Sequence, residues 1–186
     1  MGKLIIFSAP SGSGKTTIVR RLMTLVEGLE FSVSATSRAP RGTEQNGKDY
    51  YFLSTEEFDA KIASESFVEW EEVYAGTKYG TLRSEMERIW ALGHTILFDV
   101  DVKGGVRLKN IFGDSALSIF VMPPSKEELR RRLVGRATDS PEKIEQRIAK
   151  ADEEISYAEQ FDLTIVNDDL ETAVEEVCEA VRDFIG

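Results

Sequence analysis

A lysine preceded by small residues lies near the N-terminus, in the stretch FSAPSGSGKTTI of residues 7–18. Glycines let backbone N–H groups close around a phosphate, and the start of a helix adds its dipole. Lys15 would then reach the β and γ phosphates of a nucleoside triphosphate, and Thr16 would offer its hydroxyl to Mg²⁺. The usual pattern GxxxxGK[ST] begins with glycine, whereas this chain has Ala9, which is costly only if φ there must be positive. The stretch predicts a P-loop. Its expected ATP contacts are Ala9, Pro10, Ser11, Gly12, Ser13, Gly14, Lys15, Thr16 and Thr17.

A second cationic segment, TSRAPRGTEQNGKDYYF, covers residues 36–52. Ala39 precedes a proline, so the helical region is disfavoured there and the segment is predicted to be a loop. Arg38 and Arg41, followed by Tyr50, suit a second phosphate that is bound in bidentate geometry. From this segment alone, a solvated basic loop paired with neighbouring carboxylates remains an equal alternative.

Acidic residues at two further places could serve a nucleotide site. Asp99 and Asp101 close the apolar run TILF, and the strand period of two puts both at the carboxyl end of the sheet, where α/β ligands bind. Capping of the next helix by Asp101 is the alternative. Glu69 lies in FVEWEEV, where a charged strand face is the simpler interpretation.

Arginines cluster in the run RRRLVGR of residues 130–136. Arg132 and Arg136 are four residues apart, an arrangement that costs an isolated helix roughly 0.2 to 0.5 kcal/mol through like-charge repulsion. An anionic ligand would relieve this repulsion, so the run is a candidate phosphate-binding segment.

Strand-like and helix-like patterns alternate along the chain. Five strands are predicted, at residues 3–8, 31–35, 95–100, 116–122 and 163–167. Six helices are predicted, at residues 15–26, 82–92, 103–112, 126–135, 141–158 and 170–185. This alternation indicates an α/β fold with a parallel sheet flanked by helices.

Two segments depart from the alternation. Between residues 36 and 79 the pattern changes to short strands and a helix opened by Ser54 with Glu57, which indicates a small inserted lobe. Residues 125–154 are rich in Arg and Glu and are predicted to form a helical lid, with Ser125 and Ser140 as N-caps.

The composition limits the classes of function. A net charge of −10 argues against sequence-independent binding to nucleic acid and against attraction to anionic membranes. The single cysteine, Cys178, excludes a disulfide framework and fits a reducing cytoplasm. We also expect no membrane span and no targeting leader.

Six motifs together resemble the guanylate kinases, in order and spacing, over essentially the whole chain. They are APSGSGKTT, SRAPRGTEQNGKDYYF, FVEWEEVYAGTKYGT, ILFDVDVKGG, RRLVGRATDSPEKIEQRI and FDLTIVNDDLETA. The resemblance implies transfer of the γ-phosphoryl group of ATP to GMP with Mg²⁺. It further implies a P-loop NTPase core (1–33, 84–124 and 155–186), an inserted GMP-binding lobe (34–83) and a lid (125–154).

The resemblance also implies roles for individual residues. For the GMP phosphate it implies Arg38, Arg41, Tyr50 and Tyr79, and for the guanine Ser34, Glu69 and Thr81. For ATP and the transferring group it implies Arg132, Arg136 and Arg147, with Asn167 at the adenine. Asp99 is expected at the water shell of Mg²⁺, beside Thr16, and Asp101 at the acceptor nucleotide.

Guanine recognition by Glu69 is chemically reasonable. Guanine presents N1–H and an exocyclic amine side by side, so one carboxylate can accept from both, while adenine has an acceptor at N1 and no amine at C2. We therefore expect GMP, and also dGMP, as acceptor.

Two other functions remain possible from the sequence. Guanylate kinase-like scaffold domains bind phosphopeptides and lack an intact P-loop, so the stretch GSGKT and the lid arginines disfavour that function. A related kinase could act on another phosphorylated acceptor, such as a ribose bisphosphate, and the base-reading residues Ser34, Glu69 and Thr81 argue against it.

Overall fold

The computed structural model describes residues 2–74, 76–135 and 140–186. The nine strands of this part of the chain are β1 (Leu4–Ser8), β2 (Leu29–Phe31), β3 (Ala35–Thr36), β4 (Tyr51–Phe52), β5 (Phe67–Tyr74), β6 (Thr77–Leu82), β7 (Thr95–Asp99), β8 (Ala116–Met122) and β9 (Leu163–Val166). Its seven α-helices are α1 (Lys15–Leu25), α2 (Thr55–Ala63), α3 (Arg83–Ala91), α4 (Val102–Phe112), α5 (Lys126–Gly135), α6 (Pro141–Ile155) and α7 (Leu170–Ile185). No helix in the described ranges has both the length and the apolar character that a membrane crossing requires.

The chain divides into two compact units, 1–29 with 97–186 and 30–96. The strands form a five-stranded sheet of order β2-β7-β1-β8-β9 and a four-stranded sheet of order β4-β3-β6-β5. The three-part division into core, lobe and lid remains a prediction.

The first unit is built on parallel strands. β1 pairs in parallel with β8, and β8 with β9. All five residues of β1 are buried, as expected for a central strand of a parallel sheet covered on both faces. α7 buries Ala173, Val174, Val177, Cys178 and Val181, whose spacing forms one apolar helix face. The predicted α/β class, with a parallel sheet flanked by helices, is confirmed.

Helices α5 and α6 share a small core of their own within the first unit. Leu129 and Leu133 of α5 pack with Ile144 and Ala151 of α6. Both predicted N-caps form, because Ser125 Oγ accepts from the Glu128 N–H at 3.1 Å and Ser140 caps α6, with proline in its first turn. The predicted lid thus contains two helices with capped N-termini.

The second unit packs helix α2 on its four-stranded sheet. Its core contains Ala35, Phe58, Phe67 and Leu82, and the Phe58 and Phe67 rings stack with centroids 4.4 Å apart. Ser54 and Glu57 close the predicted capping box at the start of α2, with reciprocal hydrogen bonds of 3.1 and 2.7 Å.

The predicted strand at residues 31–35 is wrong. β2 ends at Phe31, and β3 begins at Ala35 in the other sheet. Between them, the Val33 N–H donates to the Glu85 carboxylate at 3.2 Å instead of to a strand. The apolar alternation of FSVSA therefore covers a crossing between two sheets, which its period alone could not reveal.

Candidate active site

Residues 9–14 form a loop between β1 and α1 in the first unit. Gly12 and Gly14 have φ of 100° and 91°, a region that L side chains rarely adopt. The Ser13 N–H donates to the Pro10 carbonyl at 3.2 Å, and the Gly14 carbonyl accepts from the Ile18 N–H at 3.2 Å, which starts the helix. Glu65 is the only non-glycine with positive φ in the described part of the chain, so Ala9 carries no such strain. Alanine at the first position of the motif therefore needs no unfavourable backbone conformation.

The loop contacts α5 and the residue that follows β9. The buried Asn167 donates its side-chain Nδ2 to the Ser13 carbonyl at 2.7 Å. A Cβ on Gly14 would collide with that Nδ2, and a Cβ on Gly12 would meet Leu129 Cδ1 at 2.9 Å. Both glycines are therefore required by close packing as well as by their φ angles.

Lys15 points its ammonium group at the carboxyl end of β7. It forms an ion pair with Asp99 and donates to the Val100 carbonyl at 3.1 Å. The two charged side chains are 18% and 30% exposed, so the pair is accessible to a ligand. The structure thus brings together two of the residues that the sequence selected.

Asp101 serves as a helix cap. It precedes α4, and its Oδ1 accepts from the Gly104 N–H at 2.8 Å, which satisfies a donor at the helix start. The capping alternative is therefore correct for this oxygen, and a contact of Asp101 with an acceptor nucleotide stays a prediction.

Two pockets adjoin the loop. One, of about 360 Å³, is lined by residues 9–17, Asp99, Val100, Asp101 and Glu154. The other, of about 350 Å³, is lined by Gly12, Gly14, Thr17, Arg132, Asn167, Asp168 and Leu170. Gly12, Gly14 and Thr17 line both spaces.

The arginines expected to bind ATP contact the loop in part. Arg132 pairs with Glu128 at 2.7 Å and donates to the Asn167 carbonyl at 2.9 Å. Arg147 donates to the Ser11 hydroxyl. Arg136 lies outside the described residues. Arg131 and Arg132 hold the pKa of Glu128 at about 2, so this carboxylate balances charge within the cluster.

In the second unit, three residues expected at the GMP phosphate lie together. Arg38 Nε donates to the Tyr79 hydroxyl at 3.2 Å, and its guanidinium lies 4.9 Å from the Tyr50 ring centroid. Both oxygens of Glu44 accept from Arg38, at 2.7 and 2.8 Å. Arg41, the fourth expected residue, is exposed.

Two of the three residues expected at the guanine are neighbours across a strand pair. Glu69 of β5 is opposite Thr81 of β6, and the Thr81 hydroxyl donates to Glu69 Oε1 at 2.9 Å. Ser34 is half-buried directly before β3, and its carbonyl accepts from the Tyr51 N–H at 2.9 Å. Glu69 therefore has a defined orientation and is not one of several equivalent charges on a strand face.

Similarity to known proteins extends over the whole chain. A sequence model of the guanylate kinase family matches residues 1–184. The chain is 58% identical to a guanylate kinase of Porphyromonas gingivalis, with 100% of both chains covered. It is 56% identical to a guanylate kinase of Bacteroides thetaiotaomicron, covering 100% of this chain and 91% of the relative. The chain belongs to the guanylate kinase family.

A solved guanylate kinase shares the fold of this family member. The crystal structure of guanylate kinase from Anaplasma phagocytophilum aligns with a TM-score of 0.72 at 34% identity, covering 98% of this chain and 85% of that one. The predicted family is therefore confirmed by both sequence and fold.

Two acidic residues in the second unit of this family member were not predicted from the sequence. Glu44 was only one of several charges in a polar loop, and no local signal distinguishes it. Glu85 is buried on α3 and accepts from Tyr51 Oη at 2.7 Å and from Arg88 Nε at 3.0 Å. Burial opposes ionisation of Glu85, but its hydrogen bonds from Arg88, Tyr51 and the Val33 N–H lower its pKa on balance. Glu85 lies among the apolar positions of α3, and this placement in the sequence could have indicated a buried, hydrogen-bonded carboxylate.

Proposed function

We propose how the residues of this chain share the transfer of the γ-phosphoryl group of ATP to GMP, the reaction that the guanylate kinase family carries out. One observation carries the proposal. The P-loop is fully formed around two left-handed glycines, and Lys15 lines the same pocket. Scaffold domains of similar fold lack this loop, so it favours a kinase over a binding module.

On the donor side, backbone N–H groups at the start of α1 bind the phosphates, and Lys15 supplies a positive charge at the β and γ groups. Charge that develops on the transferring group is stabilised by Arg132 and Arg147, together with Arg136, whose role is predicted from the sequence. Asn167 keeps the loop closed through its bond to the Ser13 carbonyl, beside the pocket that we assign to adenine.

The oxygen donors around the pocket fit Mg²⁺. Thr16 is the second residue of α1, and it lines the same pocket as Asp99 and Asp101, so hydroxyl and carboxylate oxygens are available to a hard cation. When bound, Mg²⁺ would supply charge neutralisation at the phosphates. Thr16 would hold it directly and Asp99 through water.

On the acceptor side, Arg41, Arg38, Tyr50 and Tyr79 bind the GMP phosphate. Glu69 accepts from guanine N1–H and the exocyclic amine, and Thr81 orients that carboxylate through its 2.9 Å hydrogen bond. The attacking atom is an oxygen of an already ionised phosphate, so no general base is required. Positioning and charge stabilisation then account for catalysis.

The substrate range follows from these contacts. They address the base and the phosphate of the acceptor and leave the ribose 2′-hydroxyl without an assigned partner, so dGMP is also a substrate. A cytoplasmic location is consistent with the single cysteine, Cys178, which is buried in α7.

A coupled ADP-release assay with ATP and either GMP, dGMP, AMP, CMP or UMP tests the proposal. We expect turnover with GMP and dGMP, and kcat/KM about 10- to 100-fold lower with the others, because an unpaired guanine-reading carboxylate costs roughly 1 to 3 kcal/mol. A Lys15→Ala protein purified in the same way serves as the control, because any ADP release that it shows comes from contaminating kinases. Preference for AMP or a pyrimidine nucleotide would refute the assigned guanine site.

A further inference from the structure

The Arg38 side chain is held on several sides by its own unit. Its Nε–H goes to Tyr79, and Nη1 donates both to the Ala39 carbonyl at 2.9 Å and to Glu44. Nη2 donates to the other Glu44 oxygen, and the guanidinium lies over the Tyr50 ring. A guanidinium has five N–H donors, so these contacts leave at most one for a ligand.

Glu44 also fixes the loop that carries both arginines. Its Oε2 accepts from the Arg41 backbone N–H at 2.8 Å, while its own N–H donates to the Arg41 carbonyl at 3.1 Å. One carboxylate thus joins the side chain of Arg38 to the backbone of Arg41. Hydrogen bonds from the Arg38 guanidinium and the Arg41 backbone N–H lower the pKa of Glu44, so it remains ionised near neutral pH.

Arg41 differs from Arg38 in its surroundings. It is exposed, and within the described part of the chain its guanidinium has no hydrogen bond or ion pair. The two arginines, equivalent in the sequence, are therefore specialised. The Arg38 side chain is held by hydrogen bonds within its own unit, and the Arg41 side chain is available to an anion.

We propose that Glu44 is a positioning residue for the acceptor phosphate. Its carboxylate holds the Arg38 side chain in place and orients the loop so that Arg41 is the bidentate phosphate ligand. This inference rests on the proposed function, in which the second unit binds the GMP phosphate. The negative charge of Glu44 offsets one of the two positive charges of Arg38 and Arg41, so these three residues together carry a net charge of about +1.

The opposite role for Glu44 predicts an effect of opposite sign. If Glu44 merely occupied the Arg38 fork until the phosphate displaced it, removing its charge would strengthen GMP binding. If it positions Arg38 and the loop, removing its charge weakens GMP binding, because a carboxamide can accept from only one N–H of the fork and must turn an NH₂ toward the other.

The test compares Glu44→Gln with Asp49→Asn, a matched charge removal in the same lobe. Asp49 is exposed and accepts only the Gln45 N–H, at 2.8 Å, in the described structure. For Glu44→Gln we expect KM for GMP to rise about tenfold, the size of effect that the loss of one charge-assisted hydrogen bond produces. KM for ATP and kcat at saturating GMP should stay within about threefold, and Asp49→Asn should not raise KM for GMP.

A stability control separates positioning from general loosening of the unit. Ile62→Ala truncates a side chain packed against the core of the second unit and lowers Tm without touching the loop. We expect Ile62→Ala to leave KM for GMP unchanged. If it raises that KM as much as Glu44→Gln does, the role of Glu44 is only structural and the inference fails.

Two further results would overturn the inference. An unchanged KM for GMP in Glu44→Gln would exclude positioning, and a lowered KM would make Glu44 a competitor of the phosphate. Arg41→Met distinguishes either result from failure of the proposed function. If Arg41→Met weakens GMP binding and spares ATP, the acceptor site is correct and only the role of Glu44 is wrong; if GMP binding is unaffected, the acceptor site itself is wrong.

Discussion

Replacing Glu69 by glutamine tests guanine recognition most directly, because the side chain keeps its size and loses one acceptor pattern. In the protein, Glu69 Oε1 already accepts from the Thr81 hydroxyl at 2.9 Å. If the amide oxygen keeps this partner, the NH₂ group faces a guanine N–H, and one donor of the base is left unpaired.

The expected loss follows from that unpaired donor. A buried unsatisfied group costs roughly 1 to 3 kcal/mol, which corresponds to about 10- to 100-fold in kcat/KM for GMP. The ratio of kcat/KM for GMP to kcat/KM for AMP should fall. ATP binding measured without acceptor should not change, because the P-loop and its pocket contain no part of β5.

The assay is steady-state ADP release with GMP and AMP, together with calorimetric titration of ATP. Glu72→Gln is the matched control, since Glu72 lies on the same strand, is exposed and accepts from the Gly76 N–H at 2.7 Å. Unaltered GMP kinetics in Glu69→Gln, or an equal loss in Glu72→Gln, would refute the assignment of guanine recognition to Glu69.

Three further predictions concern the P-loop and the acid stability of the second unit. Lys15→Ala should abolish ADP release while Tm stays within about 5 °C of the wild type, because the lost pair is partly exposed; a folded variant with normal turnover would contradict this. Gly14→Ala should lower the free energy of unfolding, measured in urea, by about 1 to 3 kcal/mol, since φ is 91° and Cβ would meet Asn167; Gly113→Ala, at φ 51° with no atom within 4 Å, is the control for backbone strain alone. Arg38 and the Arg41 N–H lower the pKa of Glu44 from 4.5 to about 2, so its contribution to stability is complete above pH 4.5 and is lost as pH falls toward 2. The stability difference between wild type and Glu44→Gln should shrink over that range, and a difference that grows on acidification would contradict the sign.

The features that the sequence determined are those governed by a few consecutive residues. The P-loop belongs to this class because Gly12 and Gly14 supply backbone angles that other residues avoid. The cap at Ser54 and the capping role of Asp101 follow equally from contacts over three residues. Short apolar runs bounded by turn residues, such as β1, predict buried strands, and their alternation with helical patterns made the α/β class predictable.

Tertiary structure decided which of many similar polar residues became partners. Asn167 supports Ser13 across 154 positions of sequence, and no local pattern encodes such a pairing. Glu44 is close to Arg38 in sequence, yet only the folded loop determines that its two oxygens take the Arg38 fork and leave Arg41 exposed. The backbone period sets the type of an element, whereas the choice of a hydrogen-bond partner depends on which donors and acceptors are left together when the chain packs and water is excluded.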